Sequence, residues 1–594
     1  MILICLGILV LAIGVRLLHW QDNRPTFPRV FSGMVEHHKA NARLLLKGDL
    51  ATFVKGPAPP GDANILTYPP GYPIIMAVVF KLFGASDTSM RLFQIICEGA
   101  GVILLFFVAA ELLPVKAAAV AGTLAALSPQ LAYYSLLLIP DSLATLPILL
   151  ALFFLIRTIK LNSFRAAVAA GLCIGISCWL RSNALLLAPF LALLLLIIME
   201  RGKRWRYAAG LIGATIIVIA PITFRNLVVF HHFIPLSLGT GQMLNVGITD
   251  YDSEKRFGLP ATDIETVTTE AERYQRPDYG SSLFGGNGVE RDRDRTSRGL
   301  AVVRSEPLWF AGVVMRRAVS MLKLERVHLV STIPAVTHSL NVAGQLQPSW
   351  SAAPADFIAL VTTPQTTATL SLADDARILR IETANLQGGN QIVSLPIRVQ
   401  RHSDYLLKLR VKVEQGNIVF RITDPDLREV LASTPVFHPM ETAPALPRQV
   451  ITLQIPFVSG DSETIRLVLN NEERRPTPTI VELGRSDLFR LGPASFQWAR
   501  YLRTVIHGAQ KIFITAWMLP LALIGAVLLK AGGGGRSLVM LLAIPLYYLS
   551  AQSFLHTEYR YVMAIQFALF ILVAVTLYWL GMTTARIIRR YHSS

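Results

Sequence analysis

Long apolar runs separated by short polar turns fill both ends of the chain. The runs cover residues 2–18, 92–113, 117–135, 143–159, 166–180, 184–199, 208–224, 512–529, 538–553 and 562–580. A helix needs about 20 mainly apolar residues to cross a bilayer, so the pattern predicts about ten spans. The first run has no basic n-region and no small-x-small cleavage site after it, so it reads as an uncleaved helix and not a signal peptide. The stretch 73–83 is apolar but too short to span, which places it in the interface or against the bundle.

Between Ser349 and Leu491 the texture changes. Short alternating runs at 378–381, 405–413, 418–422, 450–455, 465–469 and 480–483 are separated by turn residues. That is the pattern of a β-sandwich or jelly roll. The chain therefore reads as a polytopic α-helical membrane protein with an inserted β-sandwich. A membrane core with its loops covers 1–325, the β insert covers 340–495, and the helices that complete the membrane domain cover 497–594.

Composition agrees with lipid exposure. Of 594 residues, 52% are hydrophobic and only 16% charged, too few charges for a soluble surface of this length. The net charge of +17 raises a nucleic-acid partner, but the placement of the charges argues against one. Lys116, then Arg157, Lys160 and Arg165, then Arg201, Lys203, Arg204 and Arg206 occupy alternate short loops. Lys530 with Arg536, and the tail Arg586, Arg589 and Arg590, keep the same parity. The positive-inside rule puts these in the cytoplasm, with both termini, and puts the long loops on the far side. Arg16, near the far end of the first helix, departs from the rule and needs the interface or a partner. Cys5, Cys97, Cys173 and Cys178 lie in apolar segments without metal-knuckle spacing and read as small buried hydrophobes.

Ionisable residues at the mouth of a bundle are functional candidates. Asp141 follows Pro140 and opens a spanning helix, where it also suits the role of a cap; the two roles are compatible. Glu36, in Val35-Glu36-His37-His38-Lys39, is a candidate general base, with a solvated amphipathic face as the plainer alternative. His37 and His38 make a poor metal pair because adjacent helical residues point in different directions. Arg181, Arg225 beside Asn226, and the dense turn His556-Thr557-Glu558-Tyr559-Arg560-Tyr561 all fall on the far side. Guanidinium forks suit phosphate oxygens, so Arg181, Arg225 and Arg560 together suit a lipid phosphate, although each alone reads sooner as a structural ion pair or a snorkelling residue.

Several short motifs carry a resemblance. They are Ala42-Arg43-Leu44-Leu45-Leu46-Lys47-Gly48, Tyr68-Pro69-Pro70-Gly71-Tyr72-Pro73, Leu82-Phe83-Gly84 with Arg91-Leu92, and Ser128-Pro129 through Pro140-Asp141. Leu180-Arg181, Pro221 with Arg225-Asn226, and His556-x-Glu558-x-Arg560-Tyr561 continue the series. In order and placement the chain resembles the GT-C glycosyltransferases that use polyprenyl-phosphate sugars, including protein O-mannosyltransferases and lipid A aminoarabinose transferases. The resemblance leaves the β insert outside. It implies an inverting hexosyl or pentosyl transfer from a polyprenyl-phosphate sugar to a glycan, lipid or protein acceptor. It implies an acid of the first far-side loop as base, an acid of the second as support, and basic residues for the lipid phosphate. Asp141 falls at the second-loop position. The first-loop position falls near Met34; Glu36 is the nearest acid, with Asp22 as the substitute behind it. Tyr72, Arg181, Arg225, Asn226, His556, Glu558, Arg560 and Tyr561 then become donor-binding candidates. The resemblance demands no cofactor, although some related enzymes bind a divalent metal. The absence of a cleaved targeting peptide and the compact loops favour a bacterial inner membrane, and the positive-inside parity then turns the active site to the periplasm.

The β insert has the texture of a carbohydrate-binding module, with Tyr405 and Trp350 as stacking candidates or as ordinary core. Two other classes stay open: a transporter or flippase for a lipid-linked glycan, and an inactive glycan-binding scaffold. Charges cluster at one face instead of the midplane and no inverted repeat is visible, which argues against a transporter.

Overall fold

A computed structural model describes residues 1–23, 27, 30–56, 62–325, 336, 338, 340–344, 346–359, 361–362, 368–373, 377–383, 389–437, 450–471, 478–494 and 499–593. The chain divides into two compact units, Met1–Val330 with Val505–Ser594, and Ser331–Thr504.

The first unit is helical and membrane-spanning. Among the described residues, six helices are long and apolar enough to cross a bilayer: Ile2–Asn23, Asp87–Leu112, Asp141–Leu161, Arg204–Phe230, Gly535–Phe554 and Ile565–Arg589. A seventh span forms if the pair Tyr501–Gln510 and Thr515–Ala531, bent by 62°, counts as one. Val115–Leu127, Phe164–Leu180 and Ser182–Ile198 are further apolar helices, shorter than these. The run 117–135 breaks at Pro129, which cannot donate to the helix preceding it and starts a new one, Pro129–Tyr134. The Ser128 hydroxyl accepts from the Leu131 amide and caps that start.

The helices pack where small residues allow. At Gly171 a Cβ would strike the Leu211 carbonyl, and at Gly175 it would lie 2.5 Å from Val218 Cβ, so Phe164–Leu180 and Arg204–Phe230 touch nearly backbone to backbone. Arg157 and Lys160 reach Glu111 at 3.3 and 3.7 Å, which joins the ends of Asp87–Leu112 and Asp141–Leu161 at one side. Arg16 has a partner: its guanidinium lies 3.5 Å from Glu98 and donates to the Ala12 carbonyl at 3.0 Å, all buried.

Helices Thr240–Thr249, Asp263–Arg273, Gly288–Ser305 and Pro307–Met321 follow the span Arg204–Phe230. Their centre is polar: Glu270, 1% exposed, takes Arg291 and Arg295 at 2.7 Å and Arg298 at 3.3 Å.

The second unit is the antiparallel β-sandwich that the alternating runs predict. One sheet runs in the order Ile451–Val458, Ser403–Gln415, Ile480–Pro493, Ile378–Glu382, Thr369–Ala373, with Trp350–Ala352 paired to Ile480–Pro493. The other runs Val361–Thr362, Gly389–Ser394, Thr464–Asn471, Asn417–Thr423, Val430–Phe437, with Ile397–Arg398 paired to Thr464–Asn471. Leu407, Leu409, Val411 and Val413 point into the core while Lys408, Arg410 and Lys412 alternate outward, the period of two that a half-buried strand requires. Leu379, Ile392, Phe420, Leu453 and Leu467 meet them from both sheets. Tyr405 is core, stacked 5.4 Å from Phe457, and Trp350 packs against the same cluster.

Candidate active site

Asp141 is the first residue of its helix, and the loop before it is tied down from the neighbouring span. Arg91 Nε donates to the Leu136 carbonyl at 3.1 Å, and Gln94 Nε2 donates to the Leu137 carbonyl at 2.9 Å. The Ser177 hydroxyl donates to the Ala144 carbonyl, which registers Phe164–Leu180 on Asp141–Leu161 and brings Arg181 alongside. A second tether runs through Asn183. Its amide donates to the Tyr561 carbonyl at 3.2 Å and its own carbonyl accepts from the Tyr547 hydroxyl at 2.7 Å.

These constraints put one carboxylate between two guanidinium groups. Arg181 Nη2 lies 3.3 Å from Asp141 Oδ1, and Arg560 Nη1 lies 3.8 Å from Asp141 Oδ2. Asp141 is 3% exposed, and neither carboxylate oxygen accepts a hydrogen bond among the described residues. Arg560 also holds Glu558 at 2.8 Å, sits 4.0 Å over the Phe31 ring and touches Met34 Sδ at 3.6 Å. Arg181 stacks 4.5 Å over the Tyr561 ring. Burial opposes the charge on Arg560, and Asp141, Tyr561 and Glu558 outweigh it, so its pKa is raised.

Beside this cluster lies a cavity of about 190 Å³. Its wall is mainly apolar, including Phe53, Val54, Ile65, Ile74, Trp179 and Ile222, with His37, His38, Asn41, Tyr68 and Arg225 as the polar members. Arg225 Nη1 donates to the Val54 carbonyl at 3.3 Å, and among the described residues it makes no salt bridge. His38 joins the two regions: its ring packs 4.9 Å from Tyr72 and 5.1 Å from Tyr68, and it feels the charge of Arg181. Burial pushes the Tyr68 phenol up to about 12, against the pull of Arg181 and Arg560.

The residues singled out from the sequence divide in three. Asp141, Arg181, Glu558, Arg560 and Tyr561 come together. Tyr72 is fully buried nearby, its hydroxyl donating to Gln94 Oε1 at 3.2 Å, and Arg225 lines the cavity. Glu36, Asn226 and His556 lie elsewhere. Glu36 is 60% exposed and pairs with Lys39 at 3.2 Å and Arg43 at 3.9 Å. It stands two residues from His38, about 200° around the helix at 3.6 residues per turn, so it faces away when His38 faces in. Met34 occupies the spot against Arg560. Asn226 is consumed by the Ile234 and Leu236 carbonyls at 2.8 and 3.1 Å. His556 pairs with Asp250 at 2.8 Å, and its amide donates to the Met243 carbonyl at 2.7 Å. Sequence reasoning missed His38, Tyr68 and Phe31 as site residues; only the buried run His38, Asn41, Ala42 on Ser32–Leu46 carries a signal, at helical spacing. Among the described residues no three His, Cys, Asp or Glu side chains group to hold a metal.

No curated protein matches the chain. Among solved structures it is similar to the apo oligosaccharyltransferase of Archaeoglobus fulgidus, with 11% identity over 99% of this chain and 52% of that one, TM-score 0.41. It is similar to ArnT from Cupriavidus metallidurans bound to undecaprenyl phosphate, with 15% identity over 53% of this chain and 64% of that one, TM-score 0.31. A CBM4 structure is similar at 14% identity over 22% of this chain and 84% of that one, TM-score 0.18. The chain thus spans about half the length of the archaeal enzyme and under two thirds of ArnT. Residues 67–224, which hold Tyr68, Tyr72, Asp141 and Arg181 and stop one residue short of Arg225, match the family model described as dolichyl-phosphate-mannose-protein mannosyltransferase.

Proposed function

We propose that the chain is a membrane glycosyltransferase that moves a sugar from a polyprenyl-phosphate donor to an acceptor on the periplasmic side of a bacterial inner membrane. The observation that carries this is Asp141: a buried carboxylate, flanked by two arginines, with both oxygens free of hydrogen bonds among the described residues. A buried polar group without a partner is costly, and an incoming hydroxyl satisfies it. The neighbouring cavity suits the donor. Its apolar wall takes prenyl carbons, and Arg225, a cation without a counter-charge among the described residues, takes the phosphate. ArnT bound to undecaprenyl phosphate and the family match over 67–224 agree in donor class.

In this reading the acceptor oxygen attacks the anomeric carbon as the bond from that carbon to the phosphate oxygen breaks. The electron pair leaves with the polyprenyl phosphate, and Asp141 takes the acceptor's proton. Phosphate is a good leaving group, so the proton moves late and a weak carboxylate base suffices. Arg225 stabilises the charge that develops on the departing oxygen. Arg181 and Arg560 hold Asp141 in place, and Glu558 balances Arg560. Glu36 is a surface ion pair and takes no part.

Release of polyprenyl phosphate from a panel of radiolabelled polyprenyl-phosphate sugars tests this. Wild type and Glu36→Gln should release it with at least one donor, and Asp141→Asn should lose about 100-fold or more in rate, the scale of a general base. Donor binding without release by any of the three proteins would favour the carrier or scaffold readings. Loss with Glu36→Gln would return the base to the first loop.

A further inference from the structure

The mechanism leaves one buried polar residue without a task. His38 has no exposed surface, and among the described residues neither of its ring nitrogens has a hydrogen-bond partner. Each unpaired buried polar atom costs about 1–3 kcal/mol, and native proteins rarely leave such atoms unpaired. His38 leaves two, in the wall of a cavity. The rings of His37 and Tyr68, which pack on it at 5.8 and 5.1 Å, line the same cavity, so a shift of either opens His38 to it.

The charge state of the ring limits what it can bind. Burial, then His37 and Arg181, hold its pKa well below the ordinary value, so the imidazole is neutral. A neutral imidazole has one N–H donor and one acceptor nitrogen. An ionised phosphate only accepts hydrogen bonds and serves one of the two. A sugar serves both, because each hydroxyl donates and accepts and neighbouring hydroxyls diverge around the ring. The ring of Tyr68, which packs on His38 and lines the cavity, supplies a flat apolar surface on which the C–H side of a sugar packs. Arg225 in the same cavity leaves the phosphate already provided for.

Building on the function proposed above, we infer that His38 is the sugar-recognising residue of the donor site, binding two neighbouring hydroxyls of the lipid-linked sugar through its donor and acceptor nitrogens. The donors this favours are sugars with an unmodified pair of vicinal hydroxyls. His38 acts by contact and orientation and takes no proton in the transfer.

Equilibrium binding by the purified full chain tests it, with bare polyprenyl phosphate and a panel of polyprenyl-phosphate hexoses and pentoses as probes. Wild type should bind at least one sugar-bearing donor about tenfold more tightly than bare polyprenyl phosphate. His38→Phe keeps the ring and removes both nitrogens. It should bind bare polyprenyl phosphate like wild type and lose the preference. Its unfolding temperature without ligand should be equal or higher, because no buried polar atom remains unpaired. His38→Gln, which retains a donor and an acceptor, should keep part of the preference. Retention of the preference by His38→Phe overturns the inference. So does a wild type without preference for any sugar, or a His38→Phe protein that loses bare polyprenyl phosphate as well, since the residue would then hold the fold and not the sugar. A wild type that binds no polyprenyl phosphate at all removes the donor class itself, an outcome separate from failure at His38.

Discussion

Glu270 shows what a satisfied buried charge looks like in this protein. Arg295 donates to both of its oxygens at 2.7 Å, Arg291 to one at 2.7 Å, and Arg298 to the other at 3.3 Å. Burial works to raise the pKa of this carboxyl, and the hydrogen bonds and charges of Arg295 and Arg291 overcome it, so the group sits below its ordinary value near 4.5. A carboxyl held down in the fold stabilises it above the unfolded pKa, and that stability is lost as pH falls through the folded value. Glu270→Gln strands the buried Arg291 and Arg295 and should cost about 3–5 kcal/mol near neutral pH. Thermal unfolding should show the gap, and it should narrow below about pH 4.5 as the wild-type carboxyl protonates. Equal unfolding temperatures at pH 7 would refute the role. Asp141 differs from Glu270 in the feature that marks a site: its arginines leave both oxygens open. Residue identity alone made Asp141, Arg181 and Arg560 legible, because charge at the ends of apolar runs is conspicuous. It did not show that the helical phase turns Glu36 to the exposed face and His38 inward. Nothing in the pattern Met34-Val35-Glu36-His37-His38 separates the two faces until the buried Ala42 and Asn41 set the phase.

The elements were more legible than the contacts between them. Every alternating run named between 378 and 483 falls on a strand, with Val450 alone outside by one residue, because a sandwich strand declares its inward face residue by residue. A break inside an apolar run was less legible, because hydropathy does not register a helix that stops early: Pro129 divides one run, and Val115–Leu127 ends after 13 residues. The crossing of Phe164–Leu180 on Arg204–Phe230 rests on Gly171 and Gly175, four residues apart and so on one face. Backbone faces Gly171: its Cβ would meet the Leu211 carbonyl and lie 2.9 Å from Ala214 Cβ, so neither neighbour yields by turning a side chain. Gly171→Ala should destabilise by about 1–3 kcal/mol through overpacking. It should also slow sugar transfer, because Arg181 continues from the end of the displaced helix. Gly213→Ala is the control. A Cβ there meets nothing within 4 Å, and alanine in a helix gains up to about 1 kcal/mol over glycine. Unfolding temperatures of the two variants should therefore move in opposite directions; a Gly171→Ala protein as stable as wild type would mean the helices are not held by this close approach.

At the scale of the molecule, the first unit has two chemically distinct ends. Asp141 and Lys160 lie at opposite ends of one helix, 19 residues or about 28 Å apart at 1.5 Å per residue, close to the roughly 30 Å of a hydrocarbon core. The ion pairs of Glu111 with Arg157 and Lys160 bring Leu112, the end of the preceding span, to the basic end. Phe164–Leu180 then returns the chain to Arg181 at the Asp141 end, and Arg204, opening another long helix, starts from the far side. The basic residues Arg157, Lys160 and Arg204 thus gather opposite the carboxylate–arginine cluster. Basic residues near helix ends stay on the cytoplasmic side, which predicts that Asp141, Arg181 and Arg560 face the other compartment together. Single cysteines on a background lacking the four native ones decide this in intact bacterial cells. A cysteine at Lys203, on the basic end, should resist a membrane-impermeant maleimide until the cells are opened. One at Glu265, in the polar helices after the span Arg204–Phe230, should label at once, as its half-exposed side chain permits. The reverse pattern would put the candidate site in the cytoplasm, and a donor presented from the periplasmic leaflet could then no longer be its substrate.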